Sequence, residues 1–485
     1  MSVAQWMLRL SLAGALLLSG CANFSGIATQ STMMVPHTLN DTRQPDTTVF
    51  PQQYWWKRFA DSRLDALISQ AIAKNHSLKV VQSRIAGAQA LEEATDSARY
   101  PQVSAGVQST REHLSANGYF PPPLGGSQIT MSSASISGQW QIDWFGKQRA
   151  ALNAAIGQTR AAQADMQAAQ VVLAASVASQ YFTLARLQEQ QQIRQALLQQ
   201  SEHNARLINQ RVAAGLDTTL VQRQTQAQTP QIRRDLAALT EQVAISRHAL
   251  AVLIGAEPGE TDQLAARLPS DMLADVPEQL PAELLGHRAD VAAARWRVES
   301  ELQSAREARA AFYPNLNLTA FAGFEAIGLS QWFRTDSRTM GVGPAISLPI
   351  FNAGQLRAQL KGRTVQVDAA IETYNATVLN ALREVADKLA SRQALQTQLQ
   401  EQKSVMMQLD AACELAKARY QSGLTNYLTV LGAENAQLLQ QSILIDLQAR
   451  AFDVDVGLML ALGGGYVSSA IPVSKSLAKE SSQNE

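Results

Sequence analysis

Cysteine is almost missing: Cys21 and Cys413 are the two in 485 residues, too few for a disulfide scaffold. An excess of charge is missing too, with 41 basic and 41 acidic side chains, so there is no basic face to hold nucleic acid. Beyond the N-terminus there is no run of about eighteen or more apolar residues to serve as a transmembrane helix. Six scattered histidines, with no metal-ligand spacing and no nucleophile elbow, argue against an enzyme, a metal site or a cofactor. A chain of this kind crosses a membrane, if at all, with strands.

Such a strand is present. In Ser132 to Trp144, positions Ala134, Ile136, Gly138, Trp140, Ile142 and Trp144 are apolar or small, while Ser133, Ser135, Ser137, Gln139, Gln141 and Asp143 are polar. A period of two gives a β-strand with unlike faces. Its end at Trp144 and Phe145 suits an outer-membrane barrel, whose strands carry aromatic girdles, better than a soluble sandwich. Thr339 to Ile350 repeats the pattern, with Met340, Val342, Pro344, Ile346, Leu348 and Ile350 on one face. Each strand runs into a glycine and a basic helix start, Gly146-Lys147-Gln148-Arg149 and Gly354-Gln355-Leu356-Arg357, offset by 354 − 146 = 208 residues. The chain is a tandem duplication.

Residues 1–20 have the weakly basic start, apolar run and small residues of a signal peptide, and Leu18-Ser19-Gly20-Cys21 resembles a bacterial lipobox. Lipidation of Cys21, at roughly 0.8 kcal/mol per buried methylene, would anchor the mature N-terminus. Residues 21–51 follow as an extended tether, 52–257 as the first repeat, 258–286 as a Pro-containing linker, 287–465 as the second repeat and 466–485 as a polar tail. Helical spacing runs from Asp61 to Arg99 and from Arg288 to Phe312. Each helix is stopped by a Tyr-Pro pair, Tyr100-Pro101 and Tyr313-Pro314. Two further strands begin there, so Tyr100, Trp144, Phe145, Tyr313 and Phe351 fall at one membrane interface. The hairpin loops then lie at the opposite, outer side.

Between the hairpins the sequence predicts very long Ala/Gln-rich helices, Lys147 to Ala214, Asp217 to Leu253, Gln355 to Ser422 and Thr425 to Leu462. About 65 residues at 1.5 Å each make a helix ~100 Å long. Cys413, inside one of them, is expected as a buried thiol. The strands of one chain number four, and the smallest membrane barrels need about eight. Open edges are not tolerated in lipid, so two copies must supply eight strands or three must supply twelve. Small inner-face residues such as Ser133, Ser135 and Gly341 favour the wider pore.

From Leu18 to Gly465 the chain resembles the TolC-like outer-membrane efflux proteins, in particular the lipoprotein branch serving tripartite multidrug pumps. The lipobox, Asp143-Trp144-Phe145-Gly146, Leu348-Pro349-Ile350-Phe351-Asn352-Ala353-Gly354, the Tyr-Pro breaks and His287-Arg288-Ala289-Asp290-Val291 carry the resemblance. So do Arg211-Val212-Ala213-Ala214-Gly215-Leu216 and Arg419-Tyr420-Gln421-Ser422-Gly423-Leu424, again 208 apart. The resemblance implies an α+β membrane protein: a homotrimer with a 12-stranded outer-membrane barrel continued by a long periplasmic α-helical barrel. It implies a passive exit duct for drugs or toxic small molecules, working with a periplasmic adaptor and an inner-membrane RND or major-facilitator pump. The Arg-x-x-x-Gly-Leu turns, comprising Arg211, Gly215, Leu216, Arg419, Tyr420, Gly423 and Leu424, would form the periplasmic aperture and adaptor-docking tip. Where some members carry acidic side chains there, this chain has Thr429 and Gly432, with Glu434 nearby, which puts cation binding at the gate in doubt. A type I secretion duct for polypeptides is an alternative. A surface adhesin or receptor barrel would explain the strands but not the helices.

Overall fold

A computed structural model describes residues 24–34, 51–269 and 287–466. The signal peptide, Cys21, most of the tether, most of the linker and all of the polar tail but Tyr466 lie outside the described residues. The chain divides into two units, each drawing on both sequence repeats. Described parts of Met1–Met33, Arg84–Gln163 and Ala293–Asn375 make the first, and those of Met34–Ser83, Ala164–Ala292 and Ala376–Glu485 the second.

The elements in chain order are α1 (Ser62–Lys74), α2 (His76–Ser97), β1 (Gln102–His113), β2 (Gln128–Ile142), α3 (Lys147–Ala213) and α4 (Thr219–Leu253). After these come α5 (Ala289–Ala310), β3 (Asn315–Ile327), β4 (Arg338–Ser347), α6 (Gln355–Gln421) and α7 (Tyr427–Ala461). Both ends of α3 and α4 recur in α6 and α7 at the offset of 208, since 355 − 147, 421 − 213, 427 − 219 and 461 − 253 all equal 208. Before the hairpins the offset is 315 − 102 = 213, because the second hairpin region is five residues shorter. The duplication therefore extends to the helix ends themselves.

In the first unit the strands form one antiparallel sheet in the order β1-β2-β3-β4. The register places Val103 opposite Gly138, Gly138 opposite Ala320 and Ala320 opposite Val342. The apolar positions read separately from four strands thus merge into one face, carrying Val103, Val107, Ile136, Met340, Val342 and Ile346, all exposed. The other face is small and polar, with Ser104 and Ser137 hydroxyls 3.0 Å apart. Phe321 departs from the alternation: it stands on the polar face, its ring lying where any Cβ at Gly341 would be. β2 and β4 end earlier than their apolar patterns suggest. Trp144 turns out of the sheet, its N–H donating to Ile142 O, and Asp143 Oδ2 accepts the Arg149 N–H at the start of α3. β4 stops at Ser347 because Pro349 has no N–H for the ladder.

The tether is packed where it is described. Phe24 lies against Phe312, centroids 5.0 Å apart, with the Arg309 guanidinium 4.7 Å from its ring. Gln30 and Ser31 N–H groups both donate to Asp368 Oδ1, at 2.9 and 3.1 Å, and Met33 packs beside Val298, Val367 and Ile371.

The second unit holds the main core. Trp55, Trp56 and Phe59 pack with Leu64 and Ile68 of α1, Tyr181 and Phe182 of α3, Leu250 of α4 and Phe452 and Leu458 of α7. Phe182 stacks on Phe452 at 5.1 Å, and Phe59 meets Phe182 edge-on at 4.9 Å. Tyr181 donates its hydroxyl to Asp61, which also accepts from Arg63 N–H to cap α1. One window of α3, although interrupted by glutamine and serine, is apolar enough on average for a membrane helix by length and composition. Its Val177, Ala178, Tyr181, Phe182 and Leu184 are buried in this core, which accounts for the apolarity. The helix expected from Asp61 to Arg99 is broken at Asn75, whose side chain caps Leu78 N–H and donates to Leu253 O. Side-chain bonds at both ends favour the break over continuous helix.

Candidate functional site

In the second unit, α3 passes to α4 and α6 to α7 through equivalent turns. Leu216 N–H donates to Arg211 O at 2.8 Å and Gly215 N–H to Val212 O at 3.0 Å. Leu424 N–H donates to Arg419 O and Gly423 N–H to Tyr420 O, both at 2.9 Å. These are paired Schellman caps, which require a left-handed residue after the helix. Gly215 and Gly423 both have φ of +71°, open to glycine at no steric cost. Thr218 and Asn426 then cap the next helices through Val221 N–H and Thr429 N–H.

The caps are alike, but the side chains around them are not. Arg211 pairs with Asp217 at 2.7 Å and lies 5.3 Å from the centre of the Tyr420 ring. Asp217, next to Arg211, holds that guanidinium further above its ordinary range. In the second turn Thr425 replaces the aspartate, and Arg419 is exposed with no partner among the described residues. Tyr420 meets Tyr427 at 5.2 Å, edge to face. Beneath them Ile208, Val221, Ala416, Tyr427, Val430 and Leu431 form a small core shared by α3, α4, α6 and α7. Leu216 and Leu424 project outward, 65% and 70% exposed.

Thr429 is exposed, its hydroxyl 2.8 Å from that of Thr425, and Gly432 faces open space. Glu434, two turns into α7, is buried instead: its carboxylate accepts from Gln200 Nε2 and faces Lys417 Nζ at 3.8 Å. Along the sequence it stands only as a neighbour of Gly432. Nothing in its helical spacing distinguishes it from the solvated charges nearby.

The aromatics gather in the first unit. Because Gln102 pairs with Gln139, Ile142 with Leu316 and Asn315 with Ser347, Tyr100, Trp144, Tyr313 and Phe351 all flank one end of the sheet. Trp144 and Phe351 are 76% and 88% exposed, and Phe145 stacks on Tyr313 with centroids 5.0 Å apart. Among the described residues no group of acidic, histidine or cysteine side chains could hold a metal.

Two segments of the chain match one known family. The description "outer membrane efflux protein" matches residues 67–256 and 280–464. A relative from Pseudomonas aeruginosa, the pyoverdine export outer membrane protein OpmQ, is 30% identical, with 95% of this chain and 98% of that one covered. The multidrug resistance outer membrane protein MdtP of Escherichia coli is 29% identical over 94% of this chain and 95% of its own. The crystal structure of the outer membrane protein VceC of Vibrio cholerae superposes with a TM-score of 0.80 at 34% identity, covering 86% of this chain and all of that one.

Proposed function

We propose, from the premise that this chain belongs to the outer membrane efflux protein family, that three copies close a single 12-stranded barrel around a water-filled exit. The protein is an outer-membrane efflux channel with a periplasmic helical part, and it is a conduit rather than an enzyme. The observation that carries the trimer is the sheet: among the described residues β1 and β4 each pair with one strand alone, and one face is apolar from Val103 to Val107 and from Met340 to Ile346. In lipid that face is solvated and those edges must be paired, since each unsatisfied backbone group costs several kcal/mol. Ser104, Ser137 and Thr319 on the opposite face are small and polar, which suits a water-filled lumen. Trp144, Phe145, Tyr100, Tyr313 and Phe351 then sit at the periplasmic boundary of the bilayer.

On this reading the repeats 52–257 and 287–465 supply two helix pairs per copy to a periplasmic barrel. The turns at Gly215 and Gly423 form the tip where an adaptor docks, and the duct works with an inner-membrane RND or major-facilitator pump. The cargo class is drugs or toxic small molecules, in keeping with the multidrug resistance in the name of MdtP. Lipidation of Cys21 would anchor the tether whose described part is packed on Asp368 and Phe312. Light scattering and electron microscopy of the detergent-extracted protein test the assembly: a threefold particle is expected. A monodisperse monomer would overturn it.

A further inference from the structure

Glu434 is 7% exposed and meets two other long helices at once. Its Oε1 accepts from Gln200 Nε2 of α3 and lies 3.8 Å from Lys417 Nζ of α6. Its neighbour Asn435 accepts from Gln228 Nε2 of α4 at 3.0 Å. The other titratable groups facing it are Glu414, 3.4 Å from Lys417, and buried Cys413 on α6, with buried Tyr427 on its own helix. The small core of Ile208, Val221, Ala416, Val430 and Leu431 fills the space between this group and the turns.

We propose that Glu434 is a positioning residue that latches α7 to α3 and α6, holding the helix ends of the channel in the closed arrangement. The inference rests on the reading that these ends form the aperture. To separate α7 from its neighbours, Gln200 and Lys417 must leave the carboxylate; in the closed arrangement no water replaces them readily, because the group is buried.

The latch has a pH sign that is the reverse of a simple ion pair. Burial pushes the Glu434 carboxyl above its usual range, in spite of Lys417 and Gln200. Burial likewise raises the Tyr427 hydroxyl and the Cys413 thiol. Burial opposes a rise at Lys417, but Cys413 and Glu434 beside it carry it upward. All four groups hold their protons more tightly closed than in water, so opening releases protons. Acid therefore tightens the closed state, and raising the pH through the Glu434 range loosens it.

The experiment uses the full chain in planar lipid bilayers, with conductance followed against pH, and a maleimide reacting with Cys413 at fixed pH as a second readout. Glu434→Ala should raise conductance and speed Cys413 labelling roughly tenfold, the scale of one lost charged hydrogen bond. Glu434→Gln is neutral and can keep the Gln200 bond; it should hold the closed level and lose the rise of conductance with pH. Wild-type values in Glu434→Ala, with conductance raised by Tyr420→Ala, would overturn the latch and leave the aperture reading standing. Silence in both variants would overturn both. If Glu434→Ala does not fold, an unchanged pH profile in Glu434→Gln overturns the latch.

Discussion

The Arg211 guanidinium lies 5.3 Å from the centre of the Tyr420 ring, although these residues do not hold equivalent places in the two repeats. The repeat partner of Arg211 is Arg419, and that of Tyr420 is Val212. The contact thus ties α3 to α6 through Tyr420, where the first repeat has Val212. Replacing either by alanine should raise conductance and the leak of bulky antibiotics. A double-mutant cycle should give a coupling of about 0.5–1 kcal/mol, the scale of an exposed cation–π pair. Independent single effects would show that the contact does not hold the helices.

Two glycines on opposite sides of one turn should answer the same substitution with opposite signs. Gly423 has φ of +71°, so Gly423→Ala should cost about 1 kcal/mol in thermal unfolding of the helical unit. Gly432 is inside α7 with open space at its Cβ, so Gly432→Ala should gain roughly 0.5–1 kcal/mol.

Arg288 joins three elements in the second unit. It donates to Ala461 O at 3.0 Å and pairs with Glu384 at 2.9 Å and Asp290 at 2.8 Å, while itself only 9% exposed. Arg288→Met should lower stability by about 2–3 kcal/mol, read as a fall in Tm; both carboxylates are partly solvated, which keeps the loss below that of a fully buried pair. A change within a few tenths of a kcal/mol would mean that water takes over these bonds.

Asp455 is buried, and burial lifts its carboxyl above the usual range although Arg392 and Arg58 pull it down. Its folded form holds the proton more tightly than the unfolded chain does. Stability from this group is therefore present at acid pH and lost as pH rises from the ordinary carboxylate range through the raised value. Asp455→Asn should be more stable than the wild type at neutral pH and flatten the Tm profile across that window. A less stable variant would show that Arg392 and Arg58 need the charge.

Much of this molecule was legible along the chain, because its signals are local and periodic. The period of two placed all four strands, Tyr-Pro and Gly stops placed the helix ends within about two residues, and the offset of 208 revealed the duplication. The register that merges four alternations into one apolar face needed the sheet, since each strand alone leaves its partner and its phase open. Asn75 broke a helix that spacing ran through, because its bond to Leu253 O crosses 178 residues. Phe321 took the polar face because Gly341, on the neighbouring strand, left space for its ring. Glu434 reads in sequence like any charge on a long helix; only the packing of α3, α6 and α7 removes it from water and sets Gln200 and Lys417 against it. Periodicity fixes which elements form and which side of each is apolar, whereas burial of a single polar group depends on neighbours hundreds of residues away.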